Sequence, residues 1–455
     1  MKKLLAATAA LVLAAGVGSA AAPAPPRAAA LRAGAAKVDI TPTPDMFPLI
    51  SGQTFGSVHD PLFARALVLD NGVDKVVLVT ADISGIPRGD ELLDAVANAI
   101  NVPRDHVLLS ATHNHNSPTV GADSPGQPRM ASPPVAAYIE LLKAGIVKAA
   151  RLADARLAPA RIGYGTGKAY VNTNRDEKIG AGYHMGYAPD GPSDKTVAVL
   201  AVTTPAGVPI AVYANYAVHG VVMYLAKTKD GQVQITGDLP GATSAYVEDR
   251  LGNGAVALWT SGAAGDQNPL FMATYNQDAP DVTDEGPADW AILDVQARRL
   301  GEEIVRVAGG IRNTTTQPAL WGAEASITCP GQNRAQSLQP GEPAGGYRAA
   351  ATVAMVDGPP VVVPLHLLMI GDVALAGVSA EVYSEIGQDV KRTSRFDRTM
   401  MVTLLPNRVG YIPTDKAYLL PSEKVIANRL KPGCAEPAMV DAFRRLEDQY
   451  LARRR

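Results

Sequence analysis

A strand that lacks a polar face can only be buried between layers, and this chain carries such a run at Lys75–Thr80, KVVLVT. The run delivers Asp82 at its end. An amphipathic helix is expected over Glu91–Ile100, with Leu92, Leu93, Val96 and Ile100 on one stripe, and an apolar run returns over His106–Ala111. Strand, helix and strand in this order predict a parallel crossover, which puts His113 near the carboxyl end of a buried strand. Polar side chains gathered where such a strand runs out are where α/β folds place their chemistry. Thr112-His113-Asn114-His115 is a cluster of that kind, and two histidines two apart on extended backbone face one side. By itself the HxH pattern reads either as a metal-facing pair or as two polar loop histidines.

The arrangement recurs along the chain. Asp60–Leu69 and Lys75–Thr80 form a predicted hairpin through Asn71-Gly72, and Val197–Thr203 with Val208–Ala217 form another around Pro205-Ala206-Gly207. The second hairpin runs into Val218-His219-Gly220. A helix over Gly241–Leu251 and a strand over Ala255–Thr260 lead to Gly265-Asp266-Gln267-Asn268-Pro269, where small residues allow close backbone approach. Ala319–Thr328, Ala349–Val356, Pro360–Met369 and Val373–Val378 read as mainly β, the last ending at Ser379-Ala380-Glu381. Met401–Leu405 leads to Asn407-Arg408-Val409-Gly410-Tyr411, and helices are expected over Pro134–Ala153, Ala291–Val307 and Met439–Leu451. The expected fold is α/β, with two mixed β-sheets packed together, flanking helices and a single large domain. Two histidines and a carboxylate with an open position are the donor set of catalytic zinc, although periodicity does not bring these strand ends together in space.

The 455 residues are 47% hydrophobic, which supplies a large core, and a net charge of -2 excludes the basic footprint of a nucleic-acid binder. Lys2 and Lys3, an apolar run over Leu4–Val17 and small residues Gly18-Ser19-Ala20-Ala21-Ala22 predict a signal peptide over residues 1–21, and hence export. Residues 22–36, rich in Ala and Pro, are expected to form a flexible lead-in to a domain spanning 37–455, with AKVDIT at Ala36–Thr41 opening the folded part. Cys329 and Cys434 are open to either reading, a disulfide or two free thiols. His59, His106, His184 and His366 are expected to be structural or solvent-facing.

Seven segments, in order, resemble those of the neutral (alkaline, non-lysosomal) ceramidase family. They are Asp39-Ile40-Thr41, Ser110-Ala111-Thr112-His113-Asn114-His115, Asn172-Thr173-Asn174-Arg175, Asn215-Tyr216-Ala217-Val218-His219-Gly220, Gly265-Asp266-Gln267-Asn268-Pro269, Ala380-Glu381 and Gly410-Tyr411-Ile412-Pro413-Thr414. The resemblance implies a Zn2+ ion held by His113, His219, Glu381 and Tyr411. It implies catalytic roles for His115, Asp266 and Asn268, and substrate contacts from Gly265 and from Arg175 at the rim of the site. The reaction implied is cleavage of an amide in an N-acyl or lipid substrate, which brings a membrane surface into view as a contact. The oligomeric state is left open.

Two departures bear on the substrate. Asn268 stands where the family carries a catalytic-site serine, in Gly-Asp-x-Ser-Pro, so a mechanism that needs that hydroxyl is not expected. The chain also ends soon after Thr414, so the immunoglobulin-like C-terminal domain usual in the family is expected to be absent. An esterase or amidase for smaller polar substrates, and a non-catalytic metal-binding protein on the same scaffold, are the alternatives.

Overall fold

A computed structural model describes residues 29–47, 55–120, 133–179, 182–224, 226, 232–273, 287–334, 355–419, 422, 425 and 428–454. The expected signal peptide, and the expected strand Ala349–Val356 up to residue 354, lie outside the described residues.

Two five-stranded mixed sheets face each other. The first runs Val107–Ala111, Lys75–Ala81, Phe63–Asp70, Arg32–Asp39 and Ala158–Pro159 across its width; the second runs Val256–Ser261, Pro209–Tyr216, Thr196–Thr203, Arg161–Lys168 and Thr314–Thr315. Leu67, Leu69, Leu78 and Leu108 of the first meet Leu200, Val202, Tyr213 and Leu258 of the second in one apolar cluster. This is why KVVLVT has no polar face: its other side packs under the helices Gly89–Ile100 and Pro133–Ala155. The helices Asp238–Leu251 and Pro287–Gly310 cover the outer face of the second sheet.

The later β-rich third adds a four-stranded mixed sheet, Leu320–Arg334, Met355–Ile370, Val373–Val378 and Arg398–Val402, against which Ser384–Thr393 and Ala435–Arg454 pack. The strand expected at Met401–Leu405 thus lies at Arg398–Val402. Each of the three large sheets holds one parallel pair: Lys75–Ala81 with Val107–Ala111, Pro209–Tyr216 with Val256–Ser261, and Val373–Val378 with Arg398–Val402. In a parallel pair both carboxyl ends lie at the same edge. The segments that leave these three edges carry every candidate metal ligand.

One boundary differs from expectation. The first strand begins at Arg32, inside the supposed lead-in, and pairs with Phe63–Asp70 over its whole length. Its small residues reflect packing rather than flexibility, since a Cβ on Gly34 would lie 2.2 Å from the carbonyl oxygen of Ala153.

Cys329 and Cys434 form a disulfide that ties the third sheet to the last helix across a sequence separation of 105 residues. Closing so long a loop restricts the unfolded chain most. The Cys329→Ser/Cys434→Ser variant is expected to lose about 2–5 kcal/mol of stability, read as a lower denaturation midpoint; an unchanged midpoint would show that the bond contributes nothing.

Candidate metal centre

His113 ends the Val107–Ala111 strand in a left-handed conformation, with φ 66°. Such backbone is unfavourable for a residue with a Cβ and persists only when its surroundings fix it. Here the His113 N–H donates to Ile83 O at 3.1 Å and Nδ1 lies 3.0 Å from Ser84 O, so the neighbouring strand end holds both backbone and ring. The His115 N–H donates to Gly220 O at 3.1 Å, which stitches the HxH segment to the His219-Gly220 segment. His219 Nδ1 lies 2.9 Å from Gln267 O. Glu381 and Tyr411 are direct neighbours in a two-stranded parallel ladder. The four ligands implied by the resemblance, separate in sequence, therefore converge.

The donor chemistry of this convergence points to a cation. A carbonyl oxygen only accepts, so Nδ1 of each ring carries the hydrogen that meets Ser84 O or Gln267 O, and in a neutral imidazole Nε2 is then a lone pair. Both Nε2 atoms face Glu381 Oε2, at 3.0 Å from His113 and 3.2 Å from His219. His115 Nε2 lies 3.4 Å from His113 Nε2. Burial and nearby Arg175 push the His219 ring well below the usual histidine range, so it does not supply a second proton. Burial opposes ionisation of Glu381, yet His113 and Arg408 hold it well below the usual carboxylate range. A proton or a metal ion can sit among these three atoms, and two imidazoles and a carboxylate converging in this way are a donor set for a metal.

Two donor sets compete for such an ion. His113, His115 and His219 offer nitrogens within 4.8 Å of one another. The set His113, His219, Glu381 and Tyr411 shares two of them. His115 is half-buried and Glu381 is buried, so His115 lies on the more accessible side of the cluster. That side suits a proton acceptor, and burial together with His113 and His219 pushes His115 well below the usual range.

The remaining expected site residues are nearby. Arg175 is not at a rim: it is 3% exposed, and its guanidinium donates to Asn268 Oδ1 at 3.1 Å, Gly265 O at 2.7 Å and Tyr411 Oη at 3.3 Å. It braces the site from behind because the strand Asn172–Ile179 pairs with Gln267–Pro269 and turns the side chain inward. Gly265 is packed against protein, since a Cβ there would lie 2.9 Å from the Val382 carbonyl carbon and 3.0 Å from Glu381 O. Asp266 accepts from Asn174 Nδ2 at 2.9 Å and from the Ser384 N–H at 2.8 Å, so its carboxylate is occupied in holding the start of a helix. Burial raises that carboxyl to about 6.

Asn268 is better placed than its residue type suggested. A guanidinium only donates, so Arg175 fixes the amide with Oδ1 toward it and Nδ2 away, where Nδ2 donates to the weak acceptor Met272 Sδ at 3.6 Å. Burial and Glu381 raise Tyr411 against the opposing pull of Arg175. The residue that motif reading passed over is Arg408, whose Nη1 donates to Glu381 Oε1 at 2.5 Å. A cation three residues before Tyr411 was the available signal. Two of the other histidines are structural: His106 Nδ1 meets Lys75 O at 2.8 Å and His366 Nε2 meets Asp105 O at 2.8 Å. His59 stacks on Trp290, with ring centroids 3.4 Å apart.

The fold is similar to that of neutral ceramidase from Pseudomonas aeruginosa, with a TM-score of 0.71 and 18% identity over 92% of this chain and 73% of that one. A ceramidase complexed with C2 gives 0.69 and 18%, over 92% of this chain and 74% of that one. At this identity the likeness concerns the fold. A family model described as neutral/alkaline non-lysosomal ceramidase, N-terminal, matches residues 33–285, more than half of the sequence and including His113, His115, Arg175, His219 and Asn268. The chain belongs to the neutral/alkaline non-lysosomal ceramidase family.

Proposed function

We propose that this chain is an exported, zinc-dependent amidase that hydrolyses the amide bond of an N-acyl compound. The observation that carries the reading is the convergence of His113 Nε2 and His219 Nε2 on Glu381 Oε2, at 3.0 and 3.2 Å, with Tyr411 paired to Glu381 in the neighbouring strand. His113, His219, Glu381 and Tyr411 would hold the ion. When bound, zinc supplies Lewis acidity, which polarises a carbonyl and makes water a better nucleophile near neutral pH.

The side chains divide the remaining work. His115, neutral and on the open side, accepts the proton of the attacking water at an imidazole nitrogen and returns it to the departing amine. Asn268 Nδ2 donates to the oxygen that gains charge as water adds to the acyl carbon. The carbon–nitrogen bond then breaks, giving a carboxylic acid and a free amine. Arg175 keeps Asn268 and Tyr411 in register for this.

Zinc content and hydrolysis of a panel of N-acyl amides test the reading together. Stoichiometric zinc and turnover are expected; purified protein that neither contains nor takes up zinc would sink it. Export is tested by the amino terminus of the mature protein, expected near Ala22, with retention of Met1 in exported material counting against it.

Asn268 favours a second reading, in which the site serves esters or short polar acyl groups. Ceramide turned over faster than short acyl amides would exclude this. On either reading Asn268→Ala is expected to lower kcat by about 10²–10³-fold with zinc content unchanged, the usual loss for one oxyanion donor. An unaltered kcat would remove Asn268 from the mechanism.

A further inference from the structure

We propose that Arg408 selects N-acyl substrates that carry a carboxylate close to the scissile amide, of which N-acyl amino acids are the simplest. This rests on the amidase reading and names a substrate class for the same site.

The first observation is position. Arg408 Nη1 holds Glu381 Oε1, while Oε2 of the same carboxylate faces His113 and His219. The guanidinium therefore lies one carboxylate's width from the cluster. A substrate group that reaches it must sit within a few bonds of the carbonyl being attacked.

The second observation is access. The Arg408 side chain is 23% exposed, against 6% for the Glu381 side chain beneath it. Its bond to Glu381 uses one of five N–H donors, in a planar fork whose geometry matches a carboxylate.

The third is charge. Arg175 is fully buried, and its guanidinium bonds an amide oxygen, a backbone carbonyl and a phenol, none of them a carboxylate. Among the described residues, Glu381 is the carboxylate that touches His113, His219 and Arg408. Asp266 is taken up by Asn174 and Ser384, and Asp176 acts on Arg175 from farther away. Arg408 is thus the partly exposed cation beside the cluster, and any metal would add its own positive charge there. A neutral amino-alcohol amide offers this guanidinium no counter-charge, whereas a substrate carboxylate does.

The experiment compares two sulfonamides that resist hydrolysis, N-octanesulfonylglycine and N-octanesulfonylethanolamine, which differ in carboxylate against hydroxymethyl. Binding to the zinc-loaded protein is measured by titration calorimetry. The wild type is expected to bind the glycine compound about 10- to 100-fold more tightly, the contribution of one charge-assisted contact. Arg408→Gln should erase the preference with zinc content unchanged, and Arg408→Lys should keep part of it. Equal binding by the wild type overturns the proposal, as does a preference that survives in Arg408→Gln, because the metal alone would then read the carboxylate. Loss of zinc from both variants overturns it too, by reducing Arg408 to a prop for Glu381. Failure of the amidase reading shows elsewhere, as absence of turnover of N-acyl amides by the wild type, and leaves the binding comparison decisive.

Discussion

Replacing His113 and His219 together by alanine is expected to remove bound zinc and to lower amide hydrolysis by at least about 10³-fold, the loss of several kcal/mol of transition-state stabilisation. The fold should persist, because neither ring carries the packing between sheets. What the variant loses locally is the pair of Nδ1 donors to Ser84 O and Gln267 O. Added zinc should raise the melting temperature of the metal-free wild type, by about 4 kcal/mol of stability at a thousandfold excess over Kd, and leave the variant unmoved. Zinc by mass spectrometry, with circular dichroism for the fold, checks this. Stoichiometric zinc in the double variant would displace the metal from this cluster. His115→Ala separates the two donor sets. Full zinc content with lost activity places His115 on the substrate side, and zinc loss makes it a ligand.

The secondary structure that positions these residues was legible because burial leaves a strong pattern. KVVLVT announced a strand covered on both faces, and the helix over Glu91–Ile100 announced the crossover that makes its neighbour parallel. Small residues were misleading: Ala33-Gly34-Ala35-Ala36 reads as a linker, yet it is a strand pressed against a helix backbone. At the site, the residue types of His113, His219 and Glu381 at strand ends suggested metal, but only the fold joins segments so distant in sequence. Arg175 and Asp266 show the limit. A charged residue in a motif looks as if it should face substrate, and burial behind Tyr411 or against Ser384 depends on pairings with no local trace. Arg408 escaped notice because its meaning lies in its contact with Glu381.

Arg65→Met is expected to destabilise the protein by about 3–5 kcal/mol, the usual effect of stripping one partner from a buried ion pair. Arg65 is 1% exposed on a central strand of the first sheet. Its Nη1 donates to Asp82 Oδ2 at 2.7 Å, and its Nε to Glu248 Oε1 at 3.2 Å. Glu248 belongs to the helix on the second sheet, so this guanidinium links the two layers. Methionine fills similar space but leaves Asp82, at 0% exposure, with the Phe63 N–H as its remaining bond. Burial already raises the Asp82 carboxyl above its ordinary value, with Arg65 pulling it down. Without Arg65 it rises further. A carboxyl raised on folding contributes stability that is present below its unfolded pKa, near 3.8, and is lost as pH rises through the folded value. The deficit of Arg65→Met should therefore be largest near neutral pH and shrink toward pH 4. Adding Asp82→Asn should recover part of it, because an amide needs no counter-charge. A deficit independent of pH, with no recovery in the double variant, would mean that packing rather than charge sets the effect. The consequence extends to the metal cluster. Ile83 and Ser84, immediately after Asp82, supply the carbonyls that hold His113. Weaker zinc affinity in Arg65→Met, restored with stability in the double variant, is the sign that the ion pair between layers also sets the geometry of the site.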